Sequence, residues 1–319
     1  MEEKKLAPFV MMPAYRFGES TPWGGSELET LFHRKIPDER TGESLEISAI
    51  PGLESKTPEG ITLPDLLKKY GEQITGLSAD KPFPLLLKLL NANKQLSVQV
   101  HPDDEYAASH EGKLGKTEAW VILHAEPGAY ILYGVNSGVT KEQIKQSLEK
   151  GYDIEPLIRK IPVKEGDVYY IPSGMVHAIG SGITLYEIQQ SSDITYRLWD
   201  YNRTNAKGEK RTLHIQQALD TMIPALQGQK SELPEDFDGI IRLLDVPAFR
   251  LDAISVNGTL NLPDCSTFRF FTCLAPLTIR WGEQKNQAIF CGNGETVLLP
   301  AACYSLTIEG KGRALLAMP

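Results

Sequence analysis

Short strand-like runs, separated by glycine, proline, asparagine or aspartate, constrain the fold of this chain more than any other feature. The runs in its first two thirds are PLLLKLL (84–90), LSVQVH (96–101), EAWVIL (118–123), AYILYG (129–134), DVYYIP (167–172), TLYEIQQ (184–190) and ITYRLW (194–199). This pattern is typical of antiparallel sandwiches and barrels. The runs lie too close together for regular βαβ crossovers, so we predict a mainly β protein without a Rossmann-like sheet.

Helical patterns are fewer. We predict helices over 64–75, 102–111, 141–151 and 212–225, the last with Thr212 as its N-cap. The polar, acidic segment 227–239 lacks periodicity and is the best linker candidate, and strand-like runs resume beyond it. We therefore predict a catalytic domain over 1–235, a jelly-roll β-sandwich with helical insertions. A smaller β-sandwich without a metal site should follow over 240–319, since that region contains no histidine.

Composition narrows the classes of protein to consider. The hydrophobic content of 41% and charged content of 23% in 319 residues are ordinary for a soluble globular protein. A net charge of −8 argues against nucleic-acid binding, and no apolar run is long enough for a membrane span. The N-terminus is a poor match to a signal peptide, and the four cysteines form no CxxC pair. We expect buried free thiols and a cytoplasmic location.

Four polar residues on strand-like runs are suited to bind a divalent metal. Gln99 and His101 are two residues apart in a strand and project to the same face. Glu118 begins a later run, and His177 follows the tight reversal of PSGMVH. Two imidazoles, a carboxylate and an amide oxygen form a credible donor set. The other histidines, for which we expect structural roles, are His33, His110, His124 and His214.

The sequence around these residues resembles known metal-binding motifs. The G-D-x-x-x-x-P-x-G-x-x-H pattern that ends at His177 resembles the second metal motif of cupins, and Q-x-H…E resembles the first. Longer segments, namely WGG (23–25), QVHPDD, GKTEAW and PSGMVHAIGSGITLYEIQQSSDITYRLWDYNR, resemble the type I mannose-6-phosphate isomerase (phosphomannose isomerase) family in its short bacterial form. The resemblance covers about residues 8–220. Leu45 and Ile50 depart from the family, which usually has an aromatic and a histidine there.

The resemblance implies an activity and a set of site residues. The activity is the interconversion of mannose 6-phosphate and fructose 6-phosphate, with one zinc per chain held by Gln99, His101, Glu118 and His177. Arg197 falls on the family's catalytic arginine. Lys116 shares the strand face of Glu118 and is expected to look into the same cavity. Substrate contacts are expected from Ser97, Arg203, Lys88 and Glu187.

An aldose–ketose isomerisation moves a proton between C2 and C1 through a cis-enediol whose oxygens carry negative charge. Arg197 suits the stabilisation of that charge but is a poor proton acceptor. Lys116, a zinc-bound water and Glu187 remain alternatives for the base. Arg203, Lys88 and Ser97 would hold the phosphate without a glycine-rich loop, and no nucleotide-binding fingerprint is present.

Two other functions compete with this one. His101, Glu118 and His177 alone would also suit a non-haem Fe(II) cupin oxygenase. Against this, Gln99 supplies a fourth ligand, and an oxygenase has no evident use for Lys116 and the nearby arginines. A non-catalytic sugar-phosphate-binding cupin would be expected to have lost catalytic residues, which are intact here. The sequence leaves open whether the protein is a monomer or a homodimer.

Overall fold

The computed structural model describes residues 6–78 and 80–319, and strands predominate over helices in that part of the chain. The first elements are β1 (Phe9–Met11), β2 (Ala14–Phe17), α1 (Glu27–Phe32), β3 (Thr41–Ile47), α2 (Leu63–Tyr70), α3 (Glu72–Thr75), β4 (Leu85–Ala92), β5 (Val98–Val100), α4 (Asp104–Glu111), β6 (Glu118–Ala125) and β7 (Tyr130–Val135). Next come α5 (Lys141–Glu149), β8 (Ile158–Pro162), β9 (Asp167–Ile171), β10 (His177–Ile179), β11 (Ile183–Gln190), β12 (Tyr196–Trp199), α6 (Ile215–Thr221) and β13 (Gln229–Glu232). The last are β14 (Gly239–Val246), β15 (Phe249–Asn261), β16 (Arg269–Cys273), β17 (Leu277–Trp281), β18 (Gln287–Cys291), β19 (Thr296–Leu299) and β20 (Thr307–Met318). The mainly β prediction is confirmed.

The chain forms two compact units. One comprises Tyr15–Ser44 and Leu89–Glu232, and the other comprises Met1–Ala14, Leu45–Lys88 and Leu233–Pro319. The chain passes from one unit to the other inside β2, β3 and β4 and again after β13. The continuous domains 1–235 and 240–319 stay a prediction, and residues 1–5 of the first lie outside the described part of the chain.

The unit that contains the predicted metal ligands is a sandwich of two antiparallel sheets. One sheet has the order β12-β5-β10-β7-β8, and the other includes the run β13-β9-β6-β11. Side chains of both sheets share one buried cluster, to which β6 contributes Trp120, β7 contributes Ile131 and β10 contributes Ile179. This packing of inner faces is the cupin-type sandwich that the sequence predicted.

The other unit is built around an antiparallel sheet of the order β1-β19-β16-β20-β15-β14, with β17 and β18 extending from β20. Phe271, Val297 and Leu316 lie in its core. Cys273, Cys291 and Cys303 are buried there, Cys265 is half-buried, and all four are free thiols. The helices described in the structure include none that is long and apolar enough to cross a membrane.

Helix ends differ from prediction for local reasons. Gly71 (φ 44°) separates α2 from α3, so the segment predicted as one helix over 64–75 is two. Asp103 caps α4, its side chain accepting a hydrogen bond from Tyr106 N. The prediction of Thr212 as an N-cap is wrong. The segment before α6 runs beside β12, where His214 N bonds Arg197 O, and the helix begins only at Ile215.

The predicted linker 227–239 is not unstructured throughout. β13 lies inside it and pairs with β9 over four residues, Lys230 being opposite Tyr169. Its side chains are mostly exposed, so the strand has no apolar alternation by which it could be recognised.

Candidate active site

Three of the four predicted metal ligands, the two histidines and the glutamate, lie at strand ends. His101 directly follows β5 and precedes Pro102, while Glu118 and His177 are the first residues of β6 and β10. Gly174 (φ 83°) makes the reversal before His177, and its N–H donates to His101 O at 2.8 Å. The two histidine-bearing segments are therefore tied together through the main chain.

Glu118 lies between the two imidazoles. Its Oε1 is 3.3 Å from His177 Nε2, and its Oε2 is 3.5 Å from His101 Nε2. One ligand atom from each of the three residues can be chosen so that all lie within 4.8 Å of one another. All three side chains are at most 1% exposed, which makes this a buried polar cluster in an apolar sandwich.

The main chain fixes the orientation of both imidazoles. His101 Nδ1 lies 2.9 Å from Ile194 O, and His177 Nδ1 lies 2.8 Å from Met175 O. A carbonyl oxygen only accepts, so Nδ1 carries the proton in each ring. The Nε2 atom of each ring then faces Glu118. This is how protein metal sites commonly orient histidine ligands.

The cluster has an excess of acceptors. His177 Nε2 and Glu118 Oε1 are buried and make no hydrogen bond with the described residues, although they face each other. Two acceptors with no hydrogen between them are unfavourable in a buried site. A divalent cation coordinated by both atoms would satisfy them, so the residues present fit a metal such as zinc.

Lys116 approaches the same cluster. Its Nζ donates to Glu118 Oε2 and lies 3.0 Å from His101 Nε2. Burial alone would raise the pKa of Glu118, but the charge of the adjacent Lys116 ammonium holds that pKa well below its usual range. Glu118 is therefore a carboxylate, the form that binds a metal.

Gln99 lies on β5 opposite His177 on β10 and also opposite Arg197 on β12. It is half-buried, whereas the other three predicted ligands are buried. Its backbone position brings it to the cluster, and its role as a fourth ligand stays a prediction.

Arg197, which is opposite Gln99 in the β12–β5 pair, has its guanidinium held by two hydrogen bonds. Its Nε donates to Ser97 Oγ at 3.3 Å, and its Nη1 donates to Thr212 O at 2.8 Å. Burial, followed by the charge of Arg211, lowers the pKa of Arg197 from its ordinary value. The structure thus brings together Arg197 and Ser97, which are far apart in the sequence.

Two further predicted substrate-binding residues, Glu187 and Lys88, lie in different compact units of the chain. Glu187 is 3% exposed on β11 and accepts a hydrogen bond from Trp120 Nε1 at 3.0 Å. The Trp120 ring packs edge-on against His177, at a centroid distance of 5.5 Å. Lys88 is 5% exposed in β4, in the compact unit that does not contain the histidines, and its substrate contact stays a prediction.

Sequence reasoning missed Asp200 and Arg211. Asp200 is 5% exposed and accepts hydrogen bonds from Arg203 and Arg211. Asp200 follows β12 directly, but nothing in the sequence signals a pairing with Arg211, because the intervening residues form a loop that returns to the strand.

Comparison with known proteins relates this site to a described family. Residues 17–130 match the family described as phosphomannose isomerase type I, catalytic domain. The mannose-6-phosphate isomerase of Streptococcus mutans is 40% identical over 259 residues, which cover 79% of this chain and 81% of that protein. Mannose-6-phosphate isomerase ManA of Bacillus subtilis is 39% identical over 307 residues, covering 92% and 94%.

Solved structures agree. The crystal structure of the mannose 6-phosphate isomerase from Bacillus subtilis has a TM-score of 0.88 at 32% identity, covering 98% of this chain and all of that one. A structure of phosphomannose isomerase from Salmonella typhimurium has a TM-score of 0.75 at 14% identity and covers 98% and 99% of the two chains, a likeness that shows the fold alone.

Paired antiparallel sheets around a buried His/Glu/His cluster define a cupin-type protein with a site suited to a divalent metal. Identities near 40% over most of the chain then specify the group within that class. The chain belongs to the type I phosphomannose isomerase family.

Proposed function

We propose that the protein is a zinc-dependent aldose–ketose isomerase that interconverts mannose 6-phosphate and fructose 6-phosphate through a cis-enediol. Membership of the phosphomannose isomerase family supports the reaction and the substrate. The observation that carries the metal dependence is that Glu118 Oε1 and the facing His177 Nε2 are buried and have no hydrogen-bond partner among the residues that the structure describes.

Gln99, His101, Glu118 and His177 would hold the zinc. The bound metal supplies Lewis-acid polarisation of the substrate carbonyl and offsets negative charge on the substrate oxygens. A set of two imidazoles, one carboxylate and one amide suits zinc better than the softer metals that prefer thiolates.

Arg197 would stabilise the enediol oxygens. Its hydrogen bonds to Ser97 Oγ and Thr212 O fix the guanidinium before substrate binds. A donor held in place stabilises developing charge without reorganisation during the reaction. The geometry around Arg197 therefore favours electrostatic stabilisation over proton transfer.

Lys116 and Glu187 remain the two side chains proposed for proton transfer. The Lys116 Nζ is held beside the proposed metal ligands by its contacts with Glu118 Oε2 and His101 Nε2. The Glu187 carboxylate is oriented by Trp120, whose ring packs on His177. Either side chain would supply the acid–base group required by a reaction that moves a proton between adjacent carbons.

The phosphate group would be bound by Arg203 and Ser97, with Lys88 as a further proposed contact. Charge-assisted hydrogen bonds from these side chains would supply affinity for the phosphate of the proposed substrate. Neither a nucleic acid nor a membrane surface is proposed as a partner. The four free cysteines support the proposal of a cytoplasmic location.

A coupled assay that follows fructose 6-phosphate formation from mannose 6-phosphate tests the function. Turnover should disappear when a chelator removes the metal and return on addition of zinc. Elemental analysis of the purified protein separates zinc from the iron that an oxygenase would hold. Full activity in the metal-depleted protein, or a stoichiometric content of iron, would refute the proposal.

A further inference from the structure

Three arginines surround one buried aspartate at the end of β12. Arg203 Nη2 and Arg211 Nη2 both donate to Asp200 Oδ1, and Arg211 Nε donates to Oδ2 at 2.8 Å. Arg197 is close enough for the charges of Arg211 and Arg203 to lower its pKa, after the larger effect of burial. One carboxylate offsets one of the three positive charges, so the cluster attracts a further anion.

Arg203 and Arg211 differ in how many of their nitrogens the protein occupies. All three nitrogens of Arg203 donate within the chain, Nε to Asp200 O, Nη1 to Gln95 O at 2.6 Å, and Nη2 to the Asp200 carboxylate. Arg211 uses only Nε and Nη2, both for Asp200. The described residues offer no acceptor to Arg211 Nη1, whose two hydrogens are available to a ligand.

The backbone between Asp200 and Arg203 is strained. Tyr201 and Asn202 both have a φ of 54°, and Arg203 N donates to Asp200 O at 3.0 Å across the turn. Two successive non-glycine residues in the left-handed region are uncommon, and such conformations concentrate at functional sites. The strained turn returns Arg203 to the carboxylate that also holds Arg211.

The cluster is connected directly to the metal-ligand strand. Arg197 is opposite Gln99 in the β12–β5 pairing, and its Nη1 bonds the carbonyl of Thr212, the neighbour of Arg211. The segment that carries Arg211 is thus fastened to the catalytic arginine through its main chain.

We infer that Arg211 is a further substrate-binding residue that grips the phosphate of the sugar through Nη1, and that Asp200 is a positioning residue that aligns its guanidinium. This inference rests on the proposed function, because it takes the anion to be the phosphate of the proposed substrate. The guanidinium of Arg211 is planar and donates hydrogen bonds along more than one edge. It can therefore bind the Asp200 carboxylate through Nε and Nη2 and a phosphate through Nη1.

The test compares Arg211→Ala, Arg211→Lys and Asp200→Asn in the zinc-loaded protein. Arg211→Ala should raise KM for mannose 6-phosphate by about 10- to 100-fold and change kcat by less than about threefold, since a phosphate grip acts on ground and transition states alike. Its affinity for inorganic phosphate, measured by calorimetry, should fall by a similar factor. Arg211→Lys should restore phosphate affinity and KM only in part, because a lysine keeps the positive charge but cannot bind Asp200 and the phosphate through separate nitrogens.

Asp200→Asn should raise KM in the same direction, and adding it to Arg211→Ala should cause less than an additive loss, because Asp200 acts in part through Arg211 and in part through Arg203. Arg250→Ala is the matched control. Asp252 is a buried aspartate that also receives two arginines, Arg242 and Arg250, but in the unit without the histidines. The control should leave KM and phosphate affinity unchanged.

Phosphate affinity and KM within twofold of wild type in Arg211→Ala would overturn the inference. A fully additive effect of Asp200→Asn on top of Arg211→Ala would overturn the positioning role. If the wild-type protein fails to isomerise mannose 6-phosphate, the proposed function fails. The calorimetric comparison with inorganic phosphate still decides whether Arg211 binds this anion.

Discussion

His177 stands directly opposite Gln99 across the antiparallel pair of β10 and β5. This register places a predicted amide ligand and a predicted imidazole ligand side by side on neighbouring strands, where side chains of paired residues are about 4.5–5.5 Å apart at Cβ. Glu118 reaches the same point from the other sheet of the sandwich. A metal at this position would join the two sheets.

Removing a ligand should therefore empty the metal site. Glu118→Gln and His177→Ala should each reduce bound zinc from about one per chain to well below that, because each substitution removes one of the proposed zinc-binding groups. Elemental analysis after gel filtration measures the content. His124→Ala is the control, since His124 also contacts a glutamate, Glu126, but is partly exposed and outside the cluster. Unchanged zinc in both ligand variants would contradict the site.

Arg197→Ala should separate catalysis from metal binding. Loss of a preorganised donor to developing charge lowers kcat by roughly 10²–10³-fold. KM should change less, and zinc should be retained because Arg197 is not a proposed ligand. Steady-state kinetics and zinc content are measured on the same preparation. Turnover near that of wild type would remove Arg197 from the mechanism, and zinc loss would assign it a structural role.

Lys116→Met should destabilise the protein most strongly when metal has been stripped with a chelator. The substitution leaves the buried Glu118 carboxylate without its ammonium partner, and breaking a buried pair costs about 3–5 kcal/mol. Urea unfolding with and without zinc measures the difference, which zinc should reduce by supplying positive charge. Lys145→Met, which removes an exposed pair with Glu149, should cost under about 0.5 kcal/mol. Equal effects of the two substitutions would contradict this reading of Lys116.

Asp200 should make stability depend on pH in the acid range. Burial would raise the pKa of Asp200, but hydrogen bonds from Arg211 and Arg203 lower it below the ordinary value of 3.8. A carboxyl whose pKa is lower in the folded state binds more protons when unfolded, so its contribution is complete above pH 3.8 and is lost as the pH falls through the folded value.

Asp200→Asn should consequently be less stable than wild type by about 1–2 kcal/mol at pH 7, a value reduced for the partial exposure of both arginines. The difference should stay constant down to about pH 5 and shrink below the ordinary value of 3.8. Urea unfolding at several pH values tests this. If the difference in unfolding free energy between wild type and Asp200→Asn grew as the pH fell, the pairing of Asp200 with Arg203 and Arg211 would be rejected.

The sequence predicted strands with apolar alternation and failed for strands without it. β3 is buried along its whole length, yet Glu43, Ser44 and Glu46 interrupt its apolar pattern. Arg34 Nη1 donates to Ser44 Oγ at 2.9 Å, and Arg16 pairs with Glu43, so Ser44 and Glu43 have partners from outside the strand. Such partners are a property of the tertiary structure and leave no local signal.

The site was predictable to the extent that it lies within motifs. His101, Glu118 and His177 lie in motifs that resemble those of a known family. Lys116 is two residues before Glu118, a spacing that places both side chains on the same face of a strand. Asp200 and Arg211 were missed because their pairing depends on a loop whose path is set by the strained turn at Tyr201 and Asn202. Residues brought together by loops rather than by strand periodicity require the structure.

The hydrogen bonds from the two imidazoles to the carbonyls of Ile194 and Met175 have a genetic consequence. Had aspartate or asparagine side chains oriented the rings, one codon change could have removed each orienting group. Main-chain oxygens persist through every substitution that preserves the path of the loop. Side-chain replacements at 194 and 175 therefore leave the hydrogen-bond acceptors of His101 and His177 in place, whereas an insertion or deletion in either segment would displace them.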